Sequence, residues 1–200
     1  MQFDAISMLG NIISSGIVAT GVTLLIEHLR HGRQRKDEVG FLALQLAFLL
    51  ESYARECADT VEDHQLASDG CSAGAPIREI PSIPPYPVSD AYKLLNRRLL
   101  HEVLEFPHKC ALAQQSASAW WEYASDNESY VVSLVTNTTV MGARALDIAK
   151  GLRSAHGQPR RNFSAPYGRN LETYFVKELR AVEEIDAKRK AENLPHFIAA

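Results

Sequence analysis

The residue types best suited to chemistry gather between positions 57 and 71, where Cys57, Asp63, His64 and Cys71 occur together. Cysteine, histidine and aspartate are good zinc ligands, and on a helix Cys57 and His64, seven apart, share a face. Zinc sites, however, bring their ligands in closely spaced pairs, and the chain has no CxxC. A buried cysteine beside an acidic helix end explains the group without metal. A second grouping is His101-xxx-Glu105 with Glu105-xx-His108. Di-iron bundles repeat Glu-xx-His on two helices with further glutamates turned inward. Here the pair occurs once, and Pro107 splits it. His101 and Glu105 read better as a surface pair one helical turn apart.

The sequence contains neither a P-loop nor an HExxH, and no nucleophile is read in a recognisable setting. Three cysteines, Cys57, Cys71 and Cys110, are odd in number and far apart, so a cytoplasmic domain would keep them reduced. A net charge of −3 without a long charged tail leaves no electrostatic footprint for nucleic acid. We therefore assign no catalytic, cofactor-binding or metal-binding residue, and we expect no cofactor. Trp120, Trp121 and Tyr123 form the most conspicuous aromatic cluster. Tryptophan stacks on proline in known recognition modes, and an internal version with the IPSIPPYP segment is the expected use.

The elements that would carry these residues start with an uncharged run of 22 residues, Ala5 to Ile26. As a helix it reaches roughly 33 Å, against a hydrocarbon core of about 30 Å. Glu27 ends the run, and Arg30, Arg33, Arg35 and Lys36 follow. A signal peptide would need positive charge ahead of the apolar core and small residues at a cleavage site, whereas Met1–Asp4 has no Lys or Arg. A buried helix of a soluble domain is the other alternative, suggested by Ser7, Asn11, Ser14, Ser15, Thr20 and Thr23. We read residues 1–36 as one transmembrane helix with a basic flank. Basic residues stay on the cytoplasmic side, so the N-terminus is expected outside an inner (cytoplasmic) membrane and the rest inside. The basic cluster would meet anionic headgroups of the bilayer. Gly10-xxx-Ser14 and Ser15-xxx-Ala19 are small pairs that let helices approach, which allows a homo-oligomer through this span.

Residues 37–200 read as one helical bundle. Leu42, Leu46, Leu49, Tyr53 and Cys57 recur at helical spacing, with Phe41, Leu44 and Phe48 widening the stripe. One helix could run from the membrane to His64. Residues 66–88 are rich in glycine and proline and exclude a helix. Their second half, with Ile77, Ile80, Ile83, Tyr86 and Val88, should lie on the bundle, and the part around Asp69-Gly70 should be mobile. Ser89 or Asp90 then offers a cap for a helix carrying Leu94, Leu95, Leu99, Val103 and Leu104, and Pro107 should end it and start another. A further helix stops at Gly157. After a loop over 158–169, a charged helix runs from Asn170 to about Asn193 with a thin stripe of Leu171, Phe175, Leu179, Val182 and Ile185. The expected fold is all-α: a transmembrane helix followed by a cytoplasmic bundle with a proline-rich loop.

With these segments in place, the chain resembles a family of bacterial single-span membrane proteins with a cytoplasmic helical domain. The resemblance rests on ESYARECADTVEDH, IPSIPPYP and ALDIAKGLRSAHG, and covers most of residues 1–157. The family often has Asn after the proline where this chain has Pro107-His108. It implies no activity, cofactor or catalytic residue. The expected function is a membrane-anchored, non-enzymatic module for assembly or for binding a cytoplasmic protein. The alternatives are a membrane-tethered enzyme with scattered residues around Cys57, Asp63 and His64, and a pore-forming protein.

Overall fold

The computed structural model describes residues 4–68, 78–124, 127–159, 161 and 170–191; the side chains of 4–26, 28, 29, 123, 124, 127 and 128 lie outside that description. Among the described residues there are four α-helices: α1 (Asp4–Ser68), α2 (Arg97–Ala124), α3 (Asn127–Ala155) and α4 (Leu171–Ala191). A 3-10 turn at Asp90–Leu94 precedes α2, and no strand occurs among the described residues. The all-α expectation holds.

Helix α3 is the centre of the bundle and packs on α1, α2 and α4. It runs antiparallel to α1, with Gln158 beyond its end beside Gly40, and Gly142 beside Cys57. Small residues make this contact close: Ala43, Ala47, Ala54 and Ala58 are buried on α1, and Ala145 and Ala149 on α3. At Gly142 the fit leaves no room for a side chain. A Cβ there would lie 2.5 Å from the Phe175 ring and 2.8 Å from the Cys57 Cβ. Larger groups fill the space toward α2, where Tyr53 meets Phe106 edge-on at 5.5 Å between ring centroids.

The buried face of α1 differs from the one expected. Leu42, Leu46, Tyr53 and Cys57 are buried, but Phe41 is 63% exposed and Phe48 46%. Ala43, Ala47, Leu50 and Ala54 widen the stripe on the other side instead. Residue size misled the reading, because a close helix contact selects alanine where a looser one selects phenylalanine.

Pro107 does not end a helix; α2 runs straight through it. Proline removes one helical N–H and crowds the preceding turn, yet packing on both sides holds the helix together. Phe106 and Cys110 are buried, and Pro107 lies under the proline segment, in one groove with Ile80, Pro81 and Ile83. Helix α2 begins later than expected, at Arg97, because the Asn96 side chain accepts the Arg98 N–H at 2.9 Å. Ser89 caps the 3-10 turn by accepting the Ala91 N–H at 3.1 Å.

The proline segment straps the bundle, as its isoleucines suggested. Ile80 is buried, and Ile83 and Tyr86 pack against the core, but Val88, expected on the bundle with them, is fully exposed, and Ile77 lies outside the described residues. Its start is tied to the end of α1, and the Ile80 N–H donates to the Gln114 side chain at 3.1 Å. Residues 69–77, including the part expected to be mobile, lie outside the described residues.

Helix α3 ends at Gly157, whose φ of 63° suits glycine. The Gln158 N–H reaches the Arg153 carbonyl at 2.9 Å and the Gly157 N–H reaches the Ser154 carbonyl at 3.4 Å, the paired bonds of a Schellman turn. Asn170 caps α4 by accepting the Glu172 N–H at 2.9 Å.

Among the described residues no helix is long and apolar enough to cross a membrane. The transmembrane span expected over Ala5–Ile26 thus finds no support there; its backbone forms part of α1, and its side chains lie outside the described residues. Beyond it, residues 30–38 are all exposed, and Val39 is the first buried residue of the bundle.

Candidate functional site

The sequence-level metal candidates do not converge. Cys57 is fully buried against Tyr53 and Cys110, and burial pushes its thiol well above the usual range. The Tyr53 phenol is raised too, chiefly by burial and then by the two neighbouring thiols. Asp63 turns outward to the Arg78 guanidinium at 2.7 Å. His64, buried, is bonded through Nε2 to the Arg78 carbonyl at 2.8 Å, which requires the Nε2–H tautomer. Cys71 lies outside the described residues. Among those described, no group of three or more His, Cys, Asp or Glu residues could hold a metal ion.

His101 and Glu105 form the expected surface pair at 3.8 Å. Lys109 is closer, at 3.1 Å, and its hydrogen bond holds the Glu105 carboxyl below the usual range. Neither tryptophan lines the groove that seats Ile80, Pro81 and Ile83 of the proline segment. Trp121 is largely exposed and meets Tyr130 at 5.5 Å, and Trp120 lies under the Arg189 guanidinium at 4.9 Å. The strap is seated on Pro107, Cys110, Ala111 and Gln114 of α2 instead.

One letter pattern was passed over above: Gly70-Cys71-Ser72-Ala73-Gly74 spells G-x-S-x-G. A nucleophile elbow of that form needs a strand turning into a helix. Here a helix precedes the run and an extended proline strap follows it; the run itself lies outside the described residues.

Two features that the sequence reading missed hold most of the buried polarity. The first joins α1 to the end of α3. Glu51 and Arg153, both buried, form a two-pronged ion pair, Nε to Oε1 at 2.6 Å and Nη2 to Oε2 at 3.0 Å. Arg153 Nη1 also donates to the Pro159 carbonyl at 3.1 Å, and Arg161 reaches Glu51 Oε2 at 3.3 Å. Both guanidinium groups stack on the Phe48 ring, at 4.9 and 5.2 Å. The buried Glu51–Arg153 pair is matched charge for charge, with the half-exposed Arg161 as a second cation, and it reads as a structural clamp.

The second is a groove of about 490 Å³ between the end of α1, the first half of α3, and α4. Its walls include Val132, Val135, Val182 and Ile185, and its polar lining His64, Gln65, Thr136, Thr139 and Glu178. Thr136 and Thr139 are buried, and neither hydroxyl has a hydrogen-bond partner. Glu178 occupies a buried position on α4 in line with Leu171, Phe175 and Val182, where the sequence reading had placed Leu179. Gln65 donates to its Oε2 at 2.8 Å. Spacing could have shown this, since 171, 175, 178 and 182 follow steps of four, three and four; the charge of Glu178 turned the eye to its neighbour. Apolar walls with a few convergent polar groups are the usual make-up of a binding pocket.

Comparison with protein families, with curated proteins and with solved structures finds no match to this chain. The fold and the groove define it only as an all-α protein with a polar-lined cleft.

Proposed function

We infer that the protein is a membrane-anchored helical binding module, held by Ala5–Ile26 with its bundle on the cytoplasmic side. One observation carries this reading: α1 is a single helix of 65 residues that joins the uncharged run, the exposed basic stretch and the buried face of the bundle. At about 1.5 Å per residue it extends about 97 Å, far more than a bundle of this size needs. An exposed helical stalk carrying Arg30, Arg33, Arg35 and Lys36 is suited to the boundary between anionic headgroups and water. Small pairs in the run support pairing of copies through the membrane.

An enzyme is the second reading, and it has one observation behind it: His64 and Glu178 line the same groove. The His64 Nε2 is already engaged by the strap and Glu178 by Gln65, which favours binding over proton transfer. Fractionation tests the main reading. The full chain should remain in the membrane pellet after alkaline extraction, and a reporter active only in the cytoplasm, fused after Ala200, should be active. Recovery of the full chain as a detergent-free soluble protein defeats the proposal.

A further inference from the structure

Among the described residues, two buried carboxylates, Glu51 and Glu178, are treated very differently. Glu51 is matched by the bidentate guanidinium of Arg153 and by Arg161. Glu178, 6% exposed, receives one amide N–H from Gln65. The nearest cation is Lys177, 3.6 Å from the other oxygen, but its side chain is 83% exposed and its ammonium stays hydrated. A buried carboxylate is costly unless ion pairs and hydrogen bonds together replace its water. Thr136 and Thr139 line the same groove, and their hydroxyls, turned away from its surface, have no hydrogen-bond partner. Natural interiors leave few buried polar groups without partners, and each such group calls for an explanation. Two of them beside a buried carboxylate that has one amide donor and an exposed ammonium, beneath walls of valine and isoleucine, have a common explanation.

We propose that this groove binds a small organic amine, with its ammonium against Glu178 and its aliphatic or aromatic body between α3 and α4. An ammonium has three donors and a positive charge. It supplies Glu178 with the ion pair that Arg153 supplies to Glu51, and a turn of a threonine side chain offers a hydroxyl as a further acceptor. Val132, Val135, Val182 and Ile185 then cover the carbon skeleton. A carboxylic acid of the same size is rejected by the charge on Glu178, and an alcohol lacks the charge and two of the donors. The groove volume of about 490 Å³ suits a ligand of this class, since small-molecule sites run from about 300 to 1,000 Å³. This inference does not rest on the membrane reading, because the groove is made wholly by the bundle.

The test uses the full chain in lipid nanodiscs, with benzylamine as probe and empty nanodiscs as the blank, read by saturation-transfer NMR and calorimetry. Benzylamine should bind, benzyl alcohol at least about tenfold more weakly, and benzoate not at all. Glu178→Gln should lower the benzylamine affinity at least about tenfold, which corresponds to 1.4 kcal/mol per factor of ten. Val135→Trp, which fills the groove and leaves Glu178 in place, should abolish binding; it decides the matter if Glu178→Gln fails to fold by circular dichroism. Absence of benzylamine binding overturns the proposal. So does equal binding by either folded variant, or binding of benzoate as tight as that of the amine.

Discussion

The two halves of α3 meet their neighbours in opposite ways. From Gly142 to Leu152 the helix shows α1 a face of Gly142, Ala145, Ala149 and Leu152, and the backbones approach closely. From Ser133 to Thr139 the buried residues are Ser133, Leu134, Thr136, Asn137, Thr138 and Thr139. There the Asn137 amide bonds back to the Ser133 carbonyl at 2.9 Å, while three threonine hydroxyls have no partner. Toward α1 one half is dry and its buried Glu51–Arg153 pair is matched, while on its α2 side Arg144, Asp147, Ile148 and Gly151 border a second, charged cleft of about 470 Å³. The other is polar, incompletely paired and open to a cleft. The contrast lies at the contact with α1 and α4: one half is closed there by small side chains, and the other leaves buried hydroxyls without partners beside a cleft.

The clamp at the end of the dry half should be the most sensitive point. Arg153→Ala or Glu51→Ala leaves a buried charge without its partner and should cost about 3–5 kcal/mol, measured by denaturant unfolding. A loss under about 1 kcal/mol would show that water reaches the pair. Gly142→Ala comes next. The added Cβ must push against Phe175 and Cys57, which should cost about 1–3 kcal/mol by overpacking, offset in part by the roughly 1 kcal/mol that alanine gains over glycine in a helix. Neutrality would mean that α4 can shift away, and would weaken the contrast.

Opposite signs are expected in the polar half. Thr139→Val keeps the shape and removes an unpartnered buried hydroxyl, so it should raise stability by about 1 kcal/mol; destabilisation would reveal a hydrogen bond at that hydroxyl. The pH response should report the dry half again. Burial raises the Cys57 thiol, so the folded state keeps its proton where the unfolded thiol, near pH 8.5, begins to lose it. That contribution is complete below about pH 8.5 and fades as the pH rises through the folded value. The melting temperature should fall between pH 8 and pH 10, less so in Cys57→Ala, and native Cys57 should react slowly with thiol reagents. The smallest effect should come from Trp121→Ala, at under about 0.5 kcal/mol, because its ring is largely in water.

Much of the helical layout was legible from spacing and breakers. The stop at Gly157, the start of the last helix at about Asn170 and the burial of Ile80, Ile83 and Tyr86 all follow local rules that need no knowledge of partners. Features set by tertiary contacts were not legible. Pro107 stays inside α2 because buried neighbours and the strap hold the helix through the proline. Phe41 and Phe48 lie outside the buried face because α3 comes too close for them. The β-branched run before Val140 weakens any helix expectation, since such residues lose side-chain freedom there; packing between α1, α2 and α4 overrides that preference. Of the groove's polar residues, His64 alone was singled out, and for another reason. Glu178, Thr136 and Thr139 are ordinary helix residues until α1, α3 and α4 are brought together.

The unbroken course of α1 from Asp4 to Ser68 also makes it a shaft, and a shaft carries angle as well as length. Each residue turns the helix by about 100°, so the azimuth of the bundle is set by the number of residues between Ile26 and Val39. Adding one residue within 30–36 would swing the groove about a quarter-turn around the helix axis, whereas adding seven would return it to within about 20°. Where copies pair through Ala5–Ile26, the facing of their grooves is therefore counted in helical phase. A one-residue insertion should abolish any crosslink between bundles that a seven-residue insertion preserves.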